Sequence, residues 1–309
     1  MHKKSCKFIF CMLSYNYRQG EDKKVNWIDG ICEALDYIED NLTEDITIEE
    51  IAKRACVSSF YFQKAFSMLC GFTVGEYIRS RRLTLAGSEL AATDIKVIDL
   101  AVKYCYDSPD SFTRAFTRFH GVTPSAVRKN GAMIKSYAPL KLNFTLEGGF
   151  IMDYKIVEKE AFTVVGVSKD FKNETAMAEI PGFWTEHCKS DKSKSVCGMY
   201  GICIDDGSVP DGFEYVIADN YIPWNDIPEG IKAYSIPKNT WAVFPCKGPM
   251  PHSLQSVNKK IFSEWLPNCK EYEIAGGYNI EMYTPCSDYP KGNLDENYYS
   301  EIWIPVKKK

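Results

Sequence analysis

The chain has 309 residues, enough for two domains that each bury a core. Aromatic residues make up 14% and charged residues 25% of it, which excludes a disordered or fibrous chain. The net charge of −4 seems to exclude nucleic acid, but residues 53–129 hold 12 Lys and Arg against 6 Asp and Glu, residues 152–309 hold 17 against 23, and no arginine follows Arg128. The planar guanidinium suits phosphate and guanine, so this asymmetry points to DNA contact by the first half alone.

In chain order, residues 1–22 have a basic tip and an apolar run over 8–13 too short for a signal segment or a membrane span. They read as an unstructured leader. Apolar residues at 28, 31, 35 and 38 follow a helical period. Thr47 and Glu50 stand at capping-box spacing and start a helix that runs to about 55. Ser58 or Ser59 caps the next helix, through about 69, and Gly71 ends it. Residues 73–90 form a longer helix carrying Arg79, Arg81 and Arg82. A second copy of this pattern then begins: residues 48–77 recur over 97–127, with Cys56 matching Cys105, Ala65-Phe66 matching Ala115-Phe116, and Gly71 matching Gly121. Ser108-Pro109 opens its second helix, and Thr123-Pro124 its last. Two copies of helix, tight turn and helix are helix-turn-helix patterning, able to address two turns of a DNA groove.

Residues 131–150 read as a linker. After 151 the texture changes to strands around 154–157, 162–167, 198–204 and 213–217, with a helix over 176–189. A similar order follows, with strands at 240–245, 278–283 and 299–306 and a helix over 252–266. The fold class expected is therefore an all-α double helix-turn-helix domain over 23–130, followed by an α+β domain over 151–309. The second domain is a duplicated strand-helix-strand-strand unit. The twelve cysteines contain no CxxC pair or zinc spacing, so a reducing cytoplasm and no metal or other cofactor are expected.

On the second helix of the first copy, Phe62, Phe66 and Leu69 make the buried stripe, and Phe60, Tyr61, Gln63 and Lys64 point outward. On its counterpart, Phe112, Phe116 and Phe119 are core, and Asp110, Ser111, Thr113 and Arg114 point outward. Gln can bond adenine bidentately, and Arg114 is the strongest candidate for guanine. Arg81, Arg82, Arg118 and Lys129 are assigned to phosphates. Residues 25–130, and above all IDLAVKYCYDSPDSFTRAFTRFHGVTPSAVRK, resemble the AraC/XylS family of transcription regulators. The resemblance implies seven helices, two reading helices in successive major grooves, and base contact by Phe60, Gln63, Lys64, Asp110, Ser111 and Arg114.

In the second half, Glu301 alternates with Tyr299 and Trp303 on one face of a strand. A carboxylate among aromatic rings suits an organic cation. This half resembles the GyrI-like, or AraC effector-binding, domain through YKIVEKEAFTVVGV, IPKNTWAVFPCKGPMP, IFSEWLPNCKEYEIAGGYNIEMY and YYSEIWIPV. The resemblance implies a pocket between the repeats with a last-strand glutamate, here Glu301, inside it. Tyr283, Tyr278, Trp241, Phe183 and Trp184 are candidate walls, and Glu214 is a second candidate carboxylate. The chain thus reads as a non-enzymatic regulator, an activator of transcription. Its expected partners are double-stranded DNA, a cationic or aromatic effector and RNA polymerase, without a membrane. Two alternatives stay open: a constitutive activator whose second half recruits a protein, and a small-molecule hydrolase using Glu301 as base and Tyr283 as donor.

Overall fold

The computed structural model describes residues 27–130, 132–141, 152–223 and 226–309, the side chains of 28, 129 and 130 excepted. The expected leader and half of the expected linker lie outside these residues. The first half is helical: α1 (Trp27–Asp40), α2 (Ile48–Arg54), α3 (Ser59–Cys70), α4 (Val74–Ala92), α5 (Val97–Lys103), α6 (Pro109–His120) and α7 (Pro124–Asn130). Their starts are chemically fixed. Thr47 with Glu50, Thr73 with Glu76 and Ser108 with Ser111 form reciprocal capping boxes, and Ser58 caps α3. Gly71 and Gly121 end α3 and α6 at φ +79° and +80°, where a side chain would be strained.

Two cores result. Ile38, Ile51, Phe62, Phe66 and Tyr77 fill the first, and Leu83, Leu90, Leu100, Phe112 and Phe116 the second. Helix α4 contributes to both, so it is the rigid link between the two helix-turn-helix units. The described part of the expected linker is an extended strap rather than a free tether. The Lys135 N–H donates to His120 Nδ1 (3.1 Å), the Tyr137 N–H to Thr84 Oγ1 (2.9 Å) and the Leu140 N–H to the Tyr77 hydroxyl (3.0 Å). These bonds fasten residues 132–141 to α4 and α6.

The second half is one antiparallel sheet in the order β1-β6-β9-β8-β3-β4-β2-β5, with short β7 paired to β9. The strands are β1 (Lys155–Lys159), β2 (Phe162–Lys172), β3 (Tyr200–Ile204), β4 (Gly212–Asn220), β5 (Lys232–Ile236), β6 (Asn239–Lys247), β7 (Tyr272–Ile274), β8 (Tyr278–Tyr283) and β9 (Tyr299–Lys308). Helix α8 (Ala176–Lys189) follows β2. Helix α9 (His252–Lys260) follows β6 and continues through a π-helical turn, Ile261–Trp265. The two units β2-α8-β3-β4 and β6-α9-β8-β9 meet symmetrically where β3 pairs with β8, Ile202 opposite Ile280. This is the duplicated unit expected. Strands β5 and β7 were not expected.

The edges of the sheet nearly meet. Two residues join β1, at one edge, to β2, next to the other edge, a span of about 10 Å at most. Two residues likewise join β5, at that other edge, to β6. The sheet must therefore curl. Val164, Ile202, Val216, Trp241, Ile280 and Trp303 fill the inside of the curl. The outer face carries Tyr215, Ile217, Phe244, Ile302 and Ile304 beneath α8 and α9.

Candidate functional site

Helix α6 presents an open face. Asp110, Arg114 and Arg118 are exposed and Thr113 is half-buried, while Phe112 and Phe116 anchor the helix from behind. Ser111 is also on this side, but its hydroxyl is engaged in the cap, donating to the Ser108 carbonyl at 2.8 Å. Lys129 lies outside the described side chains.

Helix α3 is different. Phe60, Tyr61 and Gln63 do turn away from their own domain's core, as expected, but they are not open to solvent. Tyr61 is fully buried, and Phe60 and Gln63 are 3% and 6% exposed, because the second domain covers them. The Phe60 ring meets Phe213 edge-on at 4.9 Å, and the Tyr61 ring lies 6.5 Å from Phe262. The Tyr61 hydroxyl donates to the Tyr278 carbonyl, and Lys64 Nζ donates to Asn279 Oδ1 at 2.6 Å. In this arrangement Phe60, Gln63 and Lys64 cannot reach a base.

Two of the expected phosphate contacts are internal braces instead. Arg81 is buried, its Nε and Nη2 donating to the Glu39 carboxylate at 2.9 and 2.8 Å and its Nη1 to the Tyr137 carbonyl. Burial opposes charge on Glu39, yet its bonds from Arg81 and Tyr77 outweigh that and lower its pKa. Arg82 donates to the Leu42 and Glu44 carbonyls at 2.9 and 2.6 Å, tying down the chain before α2. The exposed arginines among the described residues of this half are Arg54, Arg79, Arg114, Arg118 and Arg128.

A cavity of about 1280 Å³ opens between α8, α9 and the outer face of the sheet. Cys203, Phe213, Tyr215, Glu281 and Tyr283 line it from the sheet. Ile180 and Trp184 line it from α8, Leu254 and Asn258 from α9, and Phe60, Gln63, Lys64 and Met68 from α3. Its wall is largely apolar and aromatic. Trp184 Nε1 donates to the Tyr215 hydroxyl at 2.9 Å, and the Trp184 and Tyr283 rings meet edge-on at 5.4 Å. The Tyr283 hydroxyl donates to Glu281 Oε2 at 2.6 Å. Burial and the charge of Glu281 push the Tyr283 and Tyr215 hydroxyls well above their ordinary pKa, so both stay protonated donors at neutral pH. Gly201, opposite Glu281 on β3, leaves room for this group: a Cβ there would lie 2.1 Å from the Tyr215 hydroxyl.

The expected carboxylate, Glu301, is not in this cavity. It is 6% exposed on the inner face of the curl, with Trp303. It accepts from the Tyr299 hydroxyl (2.7 Å), Trp303 Nε1 (2.6 Å) and Lys155 Nζ (3.3 Å). Burial opposes its ionisation, but these partners prevail and lower its pKa. Trp241 is fully buried beside Trp303, and the Tyr278 side chain packs in the same inner cluster. Glu214 accepts from the Tyr234 hydroxyl at 3.0 Å, again away from the cavity. Phe183 packs behind the cavity wall, on Phe171 and Tyr215. Of the expected effector residues, Trp184 and Tyr283 line the cavity. Glu301 and Tyr283 face opposite sides of the sheet, so the base-and-donor pair of the hydrolase alternative does not form. Glu281 was missed. Its signal was the Glu281-x-Tyr283 spacing, the same alternation of carboxylate and ring that singled out Glu301.

Comparison with known proteins follows this division of the chain. Residues 51–130 match the model of a helix-turn-helix domain, and residues 155–306 match that of an integron-associated effector binding protein. An HTH-type transcriptional activator, AarP of Providencia stuartii, is 40% identical over 98 residues, 32% of this chain and 73% of that protein. Transcriptional regulator Rob of Salmonella typhimurium is 28% identical over 301 residues, 90% of this chain and 98% of that protein. Among solved structures, SAV2435 bound to tetraphenylphosphonium covers 50% of this chain and 94% of its own, at 20% identity and a TM-score of 0.44.

Proposed function

Because the chain belongs to the AraC family of helix-turn-helix transcription regulators and joins that DNA-binding half to an effector-binding domain, we propose that it activates transcription in response to an organic cation held at Glu281. The observation that carries the effector class is the pairing of the Glu281 carboxylate with a large aromatic cavity, the other lining carboxylate, Asp219, being engaged by the backbone N–H groups of Cys197, Gly198 and Met199. Glu281 supplies the charge, and Trp184, Tyr215 and Tyr283 supply ring faces and edges. The low-dielectric wall strengthens the attraction, because few waters compete there. A monovalent, flat or globular aromatic cation fits such a site better than an anion or a sugar. On the DNA side, Arg114 and Asp110 are suited to base edges and Arg118 to phosphate. Activator sign is supported by the likeness to AarP, an activator, over the DNA-binding half. RNA polymerase is the partner an activator requires. The ten described cysteines are free and no described helix is long and apolar enough to cross a membrane, which supports work in the cytoplasm.

Calorimetry with tetraphenylphosphonium tests the site. The full chain should bind it, Glu281→Gln should lose about 10-fold or more in affinity, and Glu301→Gln should bind as the wild type does. If Glu281→Gln binds equally well, or neutral triphenylphosphine oxide binds as tightly as the cation, the cavity does not select positive charge.

A further inference from the structure

Two kinds of observation meet at α3. Its outward face is the one a helix-turn-helix places in a DNA groove, and that same face lines one side of the effector cavity. The surface that receives it carries DNA-like chemistry. Asp205 lies at the helix N-terminus beside Ser58 and Ser59, where a phosphate would lie on a docked helix. Lys64 is bound by the Asn279 amide oxygen. Asn279 and Glu281 lie on one face of β8, one same-face step of about 7 Å apart. Lys64 therefore stands as the protein's own cation beside the cavity carboxylate.

The seam between α3 and this groove is poorly satisfied for a permanent one. Gln63 Nε2, Asn279 Nδ2 and Asn258 Oδ1 are buried with no hydrogen-bond partner, and Asn258 lies on α9, which packs against α3. Permanent interiors pair most such groups, and three of the five unpaired ones among the described residues lie at this seam. Surfaces that part and find other partners need not pair them.

We propose that the effector domain holds α3 as an internal ligand in competition with DNA, and that an organic cation entering beside Glu281 displaces Lys64 and releases the helix. This inference rests on the reading of the cavity as a cation site. A second positive charge near Glu281 repels Lys64, and the bulk of the cation occupies space along Phe60, Gln63 and Met68. With α3 released, both reading helices face DNA. With it docked, α6 alone does. Linkage is reciprocal, so DNA also tightens cation binding.

The test uses the full chain, tetraphenylphosphonium, and a duplex enriched by selection on the full chain in the presence of that cation. The double variant Asp205→Ala/Asn279→Ala removes two docking contacts outside both α3 and the cavity wall. Tetraphenylphosphonium should tighten duplex binding by the wild type about 10-fold or more. The variant should bind the duplex nearly as well without the cation as the wild type does with it, and should bind the cation more tightly. Small-angle scattering of the wild type should show a larger radius of gyration when the cation is added. A folded variant with unchanged duplex affinity, or an unchanged radius in saturating cation, overturns the proposal. If the cation binds neither protein, the reading of the cavity fails instead, and the variant's duplex affinity alone decides whether α3 is held.

Discussion

His120 shows how a single residue sets a condition on the fold. Its Nε2 lies 3.0 Å from the Leu83 carbonyl and its Nδ1 accepts the Lys135 N–H, which together require a neutral ring protonated at Nε2. Burial lowers its pKa accordingly. An unfolded histidine titrates near pH 6.5, at about its free value, so the stability given by the neutral ring is complete above that pH and lost as pH falls through and below it. Thermal melts at pH 7.5 and 5.5 should show a larger loss for the wild type than for His120→Gln; equal losses would exclude the ring as a source. The ring also rests on α4, where a Cβ on Gly87 would lie 2.8 Å from Nε2. Gly87→Ala should cost about 1–3 kcal/mol by overpacking, read as a lowered unfolding midpoint in urea. The residue scale is also where the sequence was hardest to read. Strands β8 and β9 are covered on both faces, β8 only partly so, and alternation sorts their residues into two sets without saying which set meets the cavity. Glu281 and Glu301 look alike in sequence. Only the register that puts Glu281 opposite Ile302 separates them.

At the scale of elements, helices were legible because their ends carry chemical marks. Ser108-Pro109 and Gly121 bound α6, Gly71 ends α3 and Thr73 opens α4, each by a local bond or a backbone angle. Strand β5 has no such mark, and its three-residue exposed pattern hides its pairing with β2. The roles of arginines on a helix were also illegible, since Arg81 and Arg82 find partners 42 and 40 residues away in sequence. Two substitutions distinguish these roles. Arg114→Ala on α6 should weaken specific duplex binding by about 1–3 kcal/mol and spare non-specific binding. Equal loss of both would make Arg114 a phosphate contact. Arg81→Ala should leave the Glu39 carboxylate half-buried with only the Tyr77 hydroxyl and no counter-charge, and lower thermal stability by about 3 kcal/mol. If the protein melts as before and only DNA binding falls, Arg81 belongs to the interface after all.

At the scale of the molecule, the curled sheet is held by contacts that no local pattern predicts. Lys155 on β1 reaches Glu301 on β9 across the intervening β6, and Lys159 Nζ stands 4.0 Å above the Trp303 ring. Glu301→Ala should strip the Tyr299 hydroxyl, Trp303 Nε1 and Lys155 of their acceptor and cost about 1–3 kcal/mol, while cation affinity in the cavity is unchanged. Loss of cation binding in a folded protein would return Glu301 to the site. The duplication itself was legible in the order of strands and helices. The curl was not, because it follows from which edges two-residue turns connect.

Strand β9 has a consequence in time. It is the last strand described, yet it pairs with β6, β7 and β8 in the middle of the sheet. During synthesis the helical half, made first and rich in near-neighbour contacts, folds while β9 is still within the ribosome. Each new molecule therefore passes through a period in which α3 is already a finished helix and the groove that covers it does not yet exist.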